Sequence, residues 1–207
     1  MKLLVATRST GKQRELKRLF AGSGIEVTFP EDLGIPQSPD EDLLEWSESF
    51  EANARHKAEY FARKSKCPTV ADDSGLEVLA LGGAPGVRSK RFSGLDGPPD
   101  EVDQANNDEL LRRLAGAPPE RRSARYQCVL VYLARPDAPP RSFEGTCTGR
   151  ILDRRDGGEG FGYDPLFYSD DLQKSFGRAS AVEKDAVSHR GRAFRALKEY
   201  LEQSLPS

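Results

Sequence analysis

The sequence predicts an α/β fold: a long mixed β-sheet with flanking helices. Three observations point to it. Apolar runs of strand length alternate with segments of helical period in the first part of the chain. Two long β-propensity runs further on are separated by a Pro-rich connection of hairpin type. The chain has 207 residues, 37% of them hydrophobic and 31% charged, which suits a globular protein with a substantial core.

Leu3 to Thr7 reads as a strand, and Arg8-Ser9-Thr10-Gly11 as a polar turn. From Lys12 to about Ala21, Leu16, Leu19 and Phe20 recur at helical spacing among charged residues, until Gly22-Ser23-Gly24 stops the helix. Ile25 to Phe29 is a second strand, followed by a Pro- and Asp-rich connection over Pro30 to Asp42. A second helix covers Phe50 to Lys64, with Phe50, Ala54, Ala58 and Phe61 or Ala62 on one face. The next strand runs into Asp72-Asp73, with Ser74-Gly75 as a turn at its exit, and Leu76 to Leu81 is a strand or short helix. Breaks at Gly82 to Gly86 and Asp96 to Asp100 precede a helix from about Glu101 to Ala115. The β runs Ala124 to Ala134 and Arg141 to Leu152 form a long-looped hairpin, and a last helix covers His189 to Gln203. No linker or repeat marks separate domains, so residues 1–207 are expected to form one domain.

Composition excludes several classes. A formal charge of -2 argues against a broad nucleic-acid-binding surface. Cys67, Cys128 and Cys147 show no CxxC pattern, so neither a zinc site nor a disulfide framework is expected. Cys128 sits in an apolar run and reads as a small core residue. No run approaches the ~20 apolar residues of a membrane helix. Leu3-Leu4-Val5-Ala6 is too short for a signal peptide, and the expectation is a cytoplasmic protein.

Five groups of residues suit a nucleoside triphosphate. Asp72 and Asp73 at a strand's exit suit Mg²⁺ ligation or general-base work. Successive strand side chains point to opposite faces, so one aspartate aims at a given cleft and the other braces the loop. Thr7-Arg8-Ser9-Thr10-Gly11-Lys12 offers hydroxyls, backbone N–H groups and a lysine at a helix N-terminus, a phosphate cradle that is not a Walker A loop. Glu45 is a candidate second carboxylate for Mg²⁺, and Lys57 a candidate phosphate contact. Gly158-Glu159-Gly160-Phe161-Gly162-Tyr163-Asp164-Pro165 allows close backbone approach, with Phe161 or Tyr163 stacking on a base and Asp164 accepting from ring N–H groups. Lys184 with Ser188-His189-Arg190, at the start of the last helix, can meet a base carbonyl and a phosphate tail, although Ser188 fits a capping role better. Each segment alone also fits a bland reading: a solvated turn, a capped helix, an acidic loop, or aromatics folded into the core.

Together these segments resemble the Ham1/inosine triphosphate pyrophosphatase family. The likeness runs in family order through Ala6-Thr7…Gly11-Lys12, Ser49-Phe50-Glu51-Ala52-Asn53-Ala54…Lys57-Ala58 and Ala71-Asp72-Asp73-Ser74-Gly75-Leu76. It continues through Gly82-Gly83-Ala84-Pro85-Gly86-Val87 with Arg91, then Gly160 to Pro165, then Lys184…Ser188-His189-Arg190-Gly191. The resemblance implies two lobes around a cleft, a homodimer, and Mg²⁺-dependent hydrolysis of ITP, dITP and XTP to the monophosphate plus pyrophosphate. It makes Asp73 the catalytic carboxylate and a metal ligand with Glu45, and places Ser74 against substrate. It assigns the phosphates to Thr7, Arg8, Ser9, Thr10, Gly11, Lys12 and Lys57. It assigns the purine nucleotide to Phe161, Gly162, Tyr163, Asp164, Lys184, His189 and Arg190.

The chain departs from the family pattern twice. Thr7-Arg8-Ser9 stands where the family usually has Thr-Gly-Asn, and Ala52 where it often has a second Glu, with Glu48 or Glu51 nearby. Two other readings remain at this level: a Maf-like nucleotide pyrophosphatase, and a catalytically weak nucleotide-binding sensor. Trp46, beside Glu45, is expected to report Mg²⁺-nucleotide by its fluorescence.

Overall fold

In a computed structural model, which describes residues 1–204, seven strands form one sheet in the order β2-β1-β3-β4-β5-β6-β7. The strands are β1 (Lys2–Val5), β2 (Glu26–Thr28), β3 (Thr69–Val78), β4 (Ser123–Leu133), β5 (Arg141–Ile151), β6 (Phe167–Ser169) and β7 (Lys174–Ser175). The helices are α1 (Thr10–Leu19), α2 (Phe50–Ser65), α3 (Pro99–Arg113), α4 (Ala181–Val187) and α5 (His189–Ser204). β1 pairs in parallel with β2 and β3, whereas β5–β6 and β6–β7 are antiparallel, so the sheet is mixed. No described helix is long and apolar enough to cross a membrane.

The chain divides into two compact units. Met1–Asp73, Cys128–Glu144 and the chain from Arg192 onward make up the first; Ser74–Gln127 and Gly145–Gly191 make up the second. In the first unit the period-2 alternation of the strands sorts their side chains onto two faces. Leu3 and Val5, Val70, and Cys128, Leu130 and Tyr132 pack with Leu16 and Phe20 of the α1 segment and with Phe194, Leu197 and Leu201 of α5. Leu4 and Ala6, Ala71, and Val131 and Leu133 pack on the other side with Ala54, Ala58, Phe61 and Ala62 of α2. The expected face of the second helix is therefore the buried one. The second unit has its own core, in which Leu76 and Val78 of β3 meet Leu110 and Leu114 at the end of α3, Tyr126 of β4, and Phe167 and Phe176.

Three sequence expectations change. Asp72-Asp73-Ser74-Gly75 is not a strand exit followed by a turn: β3 continues through it to Val78, and a 3-10 turn then covers Leu79–Leu81. A strand interior tolerates two aspartates here because both carboxylates find partners, as described below. Helix α1 begins two residues earlier than expected, at Thr10, where the Ser9 hydroxyl accepts from Lys12 N–H. Lys184 does not sit at the start of the last helix but on the separate helix α4, whose seven residues were not anticipated. Its start is a capping box, with the Ser180 hydroxyl and the Glu183 carboxylate serving each other's backbone N–H groups.

Candidate active site

The two faces of the first unit decide what each aspartate of β3 can do. Asp72 follows the parity of Val70 and points to the side of α1; Asp73 follows Ala71 and points to the side of α2. Accordingly, Asp72 Oδ2 lies 2.7 Å from Lys12 Nζ in the first turn of α1. Asp73 Oδ2 accepts from Asn53 Nδ2 of α2 at 2.8 Å. Asn53 also pairs with both the N–H and the carbonyl of Ser47, so the segment before α2 is tied to the residue that orients Asp73. Burial pushes the Asp73 carboxyl above the ordinary aspartate value; Lys57 opposes this, Glu45 adds to it, and Asn53 opposes it again. A buried carboxylate with a raised pKa is a better proton acceptor than an exposed one.

Lys57 was a candidate phosphate contact with a solvated helix face as the alternative. It is buried on the packed side of α2. Its ammonium donates to Glu45 Oε1 at 2.5 Å and to the Asp72 carbonyl. Burial works to lower its pKa, but the charges of Glu45, Asp73 and Asp72 outweigh that and hold it above the ordinary lysine value. Glu45 and Asp73 thus converge electrostatically on one cation. Their hard oxygen donors fit Mg²⁺, which commonly takes one or two protein carboxylates and completes its shell with phosphates and water. Among the described residues no group of three or more His, Cys, Asp or Glu is arranged for metal binding.

The loop before α1 is braced rather than open. Arg8 forms a two-point contact with Glu41, at 3.0 and 2.7 Å, and also donates to Glu31 and to the carbonyls of Ile35 and Pro36. Its guanidinium lies 5.6 Å from the Phe61 ring centroid. The side chain expected to meet phosphate is therefore directed at the acidic segment, which it fastens to the loop. That segment, Pro39–Glu45, is a 3-10 stretch opened by Pro39 and a Ser38–Glu41 capping box, and it carries Glu45. Thr7 is buried, and its hydroxyl accepts from Ser9 N–H at 3.2 Å. Thr10, Gly11 and Lys12 form the first turn of α1, whose N–H groups suit an anion.

The second unit holds the remaining candidates. Asp164 Oδ2 accepts from Phe161 N–H at 2.9 Å and from Lys184 Nζ at 2.6 Å, both side chains being almost fully buried. Lys184 Nζ lies 4.6 Å from the Phe161 ring centroid, and the Arg190 guanidinium 5.6 Å from the same ring. Arg190 Nη2 donates to the Ser74 hydroxyl at 2.9 Å. His189 stacks on Tyr126, centroids 4.6 Å apart and planes 7° from parallel. The Ser188 hydroxyl accepts from Gly191 N–H at 3.0 Å, the expected cap of α5.

The Tyr163 and Asp164 side chains also have partners within the protein. Tyr163 is buried and its hydroxyl donates to the Ser89 carbonyl at 2.7 Å, whereas Phe161 is half-buried. Asp164 Oδ2 accepts from the loop's own Phe161 N–H and from the Lys184 ammonium. Sequence reasoning gave no role to Asn53 or Tyr126. Asn53 had a signal, a polar residue four positions before Lys57 within the apolar stripe of α2. Tyr126 had none, because an aromatic in a β run reads as core.

Residues 3–200 match the Ham1 family. The chain is 43% identical to a dITP/XTP pyrophosphatase of Anaeromyxobacter sp. (strain Fw109-5), covering 98% of this chain and 97% of that protein. It is 43% identical to a dITP/XTP pyrophosphatase of Lactobacillus acidophilus, covering 97% and 96%. Among solved structures it is similar to a HAM1 protein from Coxiella burnetii, with a TM-score of 0.84, 31% identity and 98% and 99% coverage. It is also similar to the Ham1 protein of Staphylococcus aureus, with a TM-score of 0.82, 34% identity and 99% and 100% coverage.

Proposed function

Because this chain belongs to the Ham1 family, matched over residues 3–200, we propose that it hydrolyses the non-canonical purine nucleoside triphosphates dITP, XTP and ITP to the monophosphate and pyrophosphate. The observation that carries the reading is Asp73: a buried carboxylate with a raised pKa, oriented by Asn53 and set in the field of Lys57 and Glu45. The relatives named above as dITP/XTP pyrophosphatases support the choice of substrate.

The triphosphate end of the substrate is assigned to the first unit. A triphosphate carries about four negative charges near neutral pH, and cations must offset them as the pyrophosphate departs. The α1 N-terminus over Thr10 to Lys12 offers N–H groups, and Lys57 offers a buried ammonium. Glu45 and Asp73 would hold Mg²⁺, which when bound neutralises charge on the phosphates. Asp73 accepts the proton of the attacking water, and Asn53 fixes the orientation of its carboxylate.

The purine end is assigned to the second unit. Phe161 offers a ring face, and Lys184, His189 and Arg190 offer donors suited to the keto oxygens of hypoxanthine and xanthine. Adenine presents an amino group where these bases present a 6-keto oxygen. A buried donor left unmatched costs ~1–3 kcal/mol, which disfavours ATP. Ser74, the residue after Asp73 in the chain, takes a hydrogen bond from Arg190. The two units are read as the lobes of one domain, and the protein as a cytoplasmic homodimer.

Pyrophosphate release from dITP, XTP, ITP, GTP, ATP and dTTP, with Mg²⁺ and with EDTA, tests the reading. Turnover of the first three, lost in EDTA and lowered at least about a hundredfold by Asp73→Asn, is expected. Turnover of dTTP in preference, or Asp73→Asn activity equal to wild type, would overturn it.

A further inference from the structure

The loop that presents Phe161 is held by helix α3 as well as by its own Asp164. Gly162 N–H donates to Asp103 Oδ2 at 2.7 Å, and the Gly162 carbonyl accepts from Asn107 Nδ2 at 2.8 Å. The same Asn107 amide donates to the Asp103 carbonyl at 2.6 Å, so the two side chains, one helical turn apart, form a single clamp on both peptide groups of Gly162. Asn107 is 3% exposed and Asp103 half-buried, whereas a Cβ built on Gly162 would meet nothing within 4 Å. Both peptide groups of this residue are therefore fixed, while the space a side chain would take is open. Gly162 has φ +64°, a left-handed conformation in which glycine is the least strained residue.

Peptide planarity extends the clamp to the neighbouring groups. In a trans peptide the carbonyl and N–H point in opposite directions. Drawing the Gly162 carbonyl toward Asn107 therefore turns Tyr163 N–H away from α3. Drawing Gly162 N–H toward Asp103 likewise turns the Phe161 carbonyl away. Neighbouring groups reinforce the arrangement. Asn106 holds the Lys90 carbonyl and Ser93 N–H, Tyr163 Oη holds the Ser89 carbonyl, and Ser89 Oγ accepts from Leu76 N–H of β3.

We propose that Asp103 and Asn107 are positioning residues for purine selectivity, acting by fixing the peptide planes around Gly162 beside the Phe161 ring. The proposal rests on the pyrophosphatase reading above. A donor N–H of fixed direction suits a keto oxygen and cannot serve an amino group, so loosening the clamp should erode the preference for ITP over ATP more than it slows turnover in general.

The test compares kcat/KM for ITP and for ATP in wild type, Asp103→Ala, Asp103→Asn and Asn107→Ala, with circular dichroism and thermal melts on each. One hydrogen bond lost in orienting the loop corresponds to a fall of about fivefold in the ITP/ATP ratio for each alanine variant. Asp103→Asn, whose amide oxygen can still accept from Gly162 N–H, should keep the wild-type ratio. An unchanged ratio in Asp103→Ala, or equal losses on both nucleotides, would overturn the proposal and leave α3 a structural support. If Asn107→Ala does not fold, the two Asp103 variants decide the matter alone. Absence of ITP turnover in wild type defeats the pyrophosphatase reading itself, a result distinct from wild-type turnover with an unaltered ratio in the variants.

Discussion

Replacing Lys184 with methionine removes one half of a buried ion pair and keeps most of its volume. Lys184 Nζ lies 2.6 Å from Asp164 Oδ2, with side chains 7% and 3% exposed. Methionine still packs against the Phe161 and Phe176 rings that the lysine now contacts. What remains is a carboxylate held away from water without its ammonium partner, a change that typically costs 3–5 kcal/mol. Phe161 N–H continues to serve the same oxygen at 2.9 Å, which places the expected loss at about 3 kcal/mol. For a chain of this length that lowers the melting temperature by roughly 6–12 °C. The assay is a thermal melt followed by far-ultraviolet circular dichroism, run beside the double variant Lys184→Met/Asp164→Asn. The double variant should recover more than half of the loss, since a neutral amide is far less costly to bury than a carboxylate. A single-variant shift below about 2 °C, or a double variant no more stable than the single, would refute the account of the pair.

Three further outcomes follow from individual contacts. Gly160→Ala places a Cβ 2.0 Å from Asp164 Oδ2 at φ +83°, so the variant should lose ITP turnover and melt lower, while Gly158→Ala, with nothing within 4 Å, should stay near wild type. Glu183 is held down to about 2 from 4.5 by Lys174 first and then Ser180. Its folded value is depressed, so its stabilising effect is present above the ordinary value and fades as pH falls from 4.5 toward 2. Melts of wild type and Glu183→Gln should therefore differ at pH 6 and converge near pH 2, and a gap that widens on acidification would contradict this. Trp46 is 71% exposed next to Glu45, and its emission should shift when Mg²⁺ and ITP are added together; a flat titration would place this segment away from the nucleotide.

Much of the fold was legible because hydrophobic period is a local property. The helices from Phe50 and from His189, the hairpin runs β4 and β5, and the strand-loop-helix entry through β1 and α1 follow from spacing, and the structure has them within a few residues. The short elements β6, β7 and α4 were not legible, since two, three or seven residues carry too little periodicity and their packing is supplied from elsewhere in the chain. β3 shows the same limit in another form. Two aspartates and a Ser-Gly pair read locally as a turn, but Lys12 on one side and Asn53 with Lys57 on the other make a continuous strand affordable.

The site divides along similar lines. Residue type and order alone singled out the Asp72-Asp73 pair, Glu45, Lys57, the loop from Thr7 to Lys12 and the polar groups at Lys184, His189 and Arg190, because the chemistry of a triphosphate asks for carboxylates, cations and close backbone. Which of two adjacent carboxylates meets which helix depended on the strand's parity within the packed sheet. That Arg8 turns to Glu41, that Tyr163 goes to Ser89, and that Asp103 and Asn107 grip Gly162 depended on residues far apart in the chain. Sequence determines what a side chain is able to do; its partners in space decide what it does, because burial and charge are set by neighbours that only the fold brings within a few ångströms.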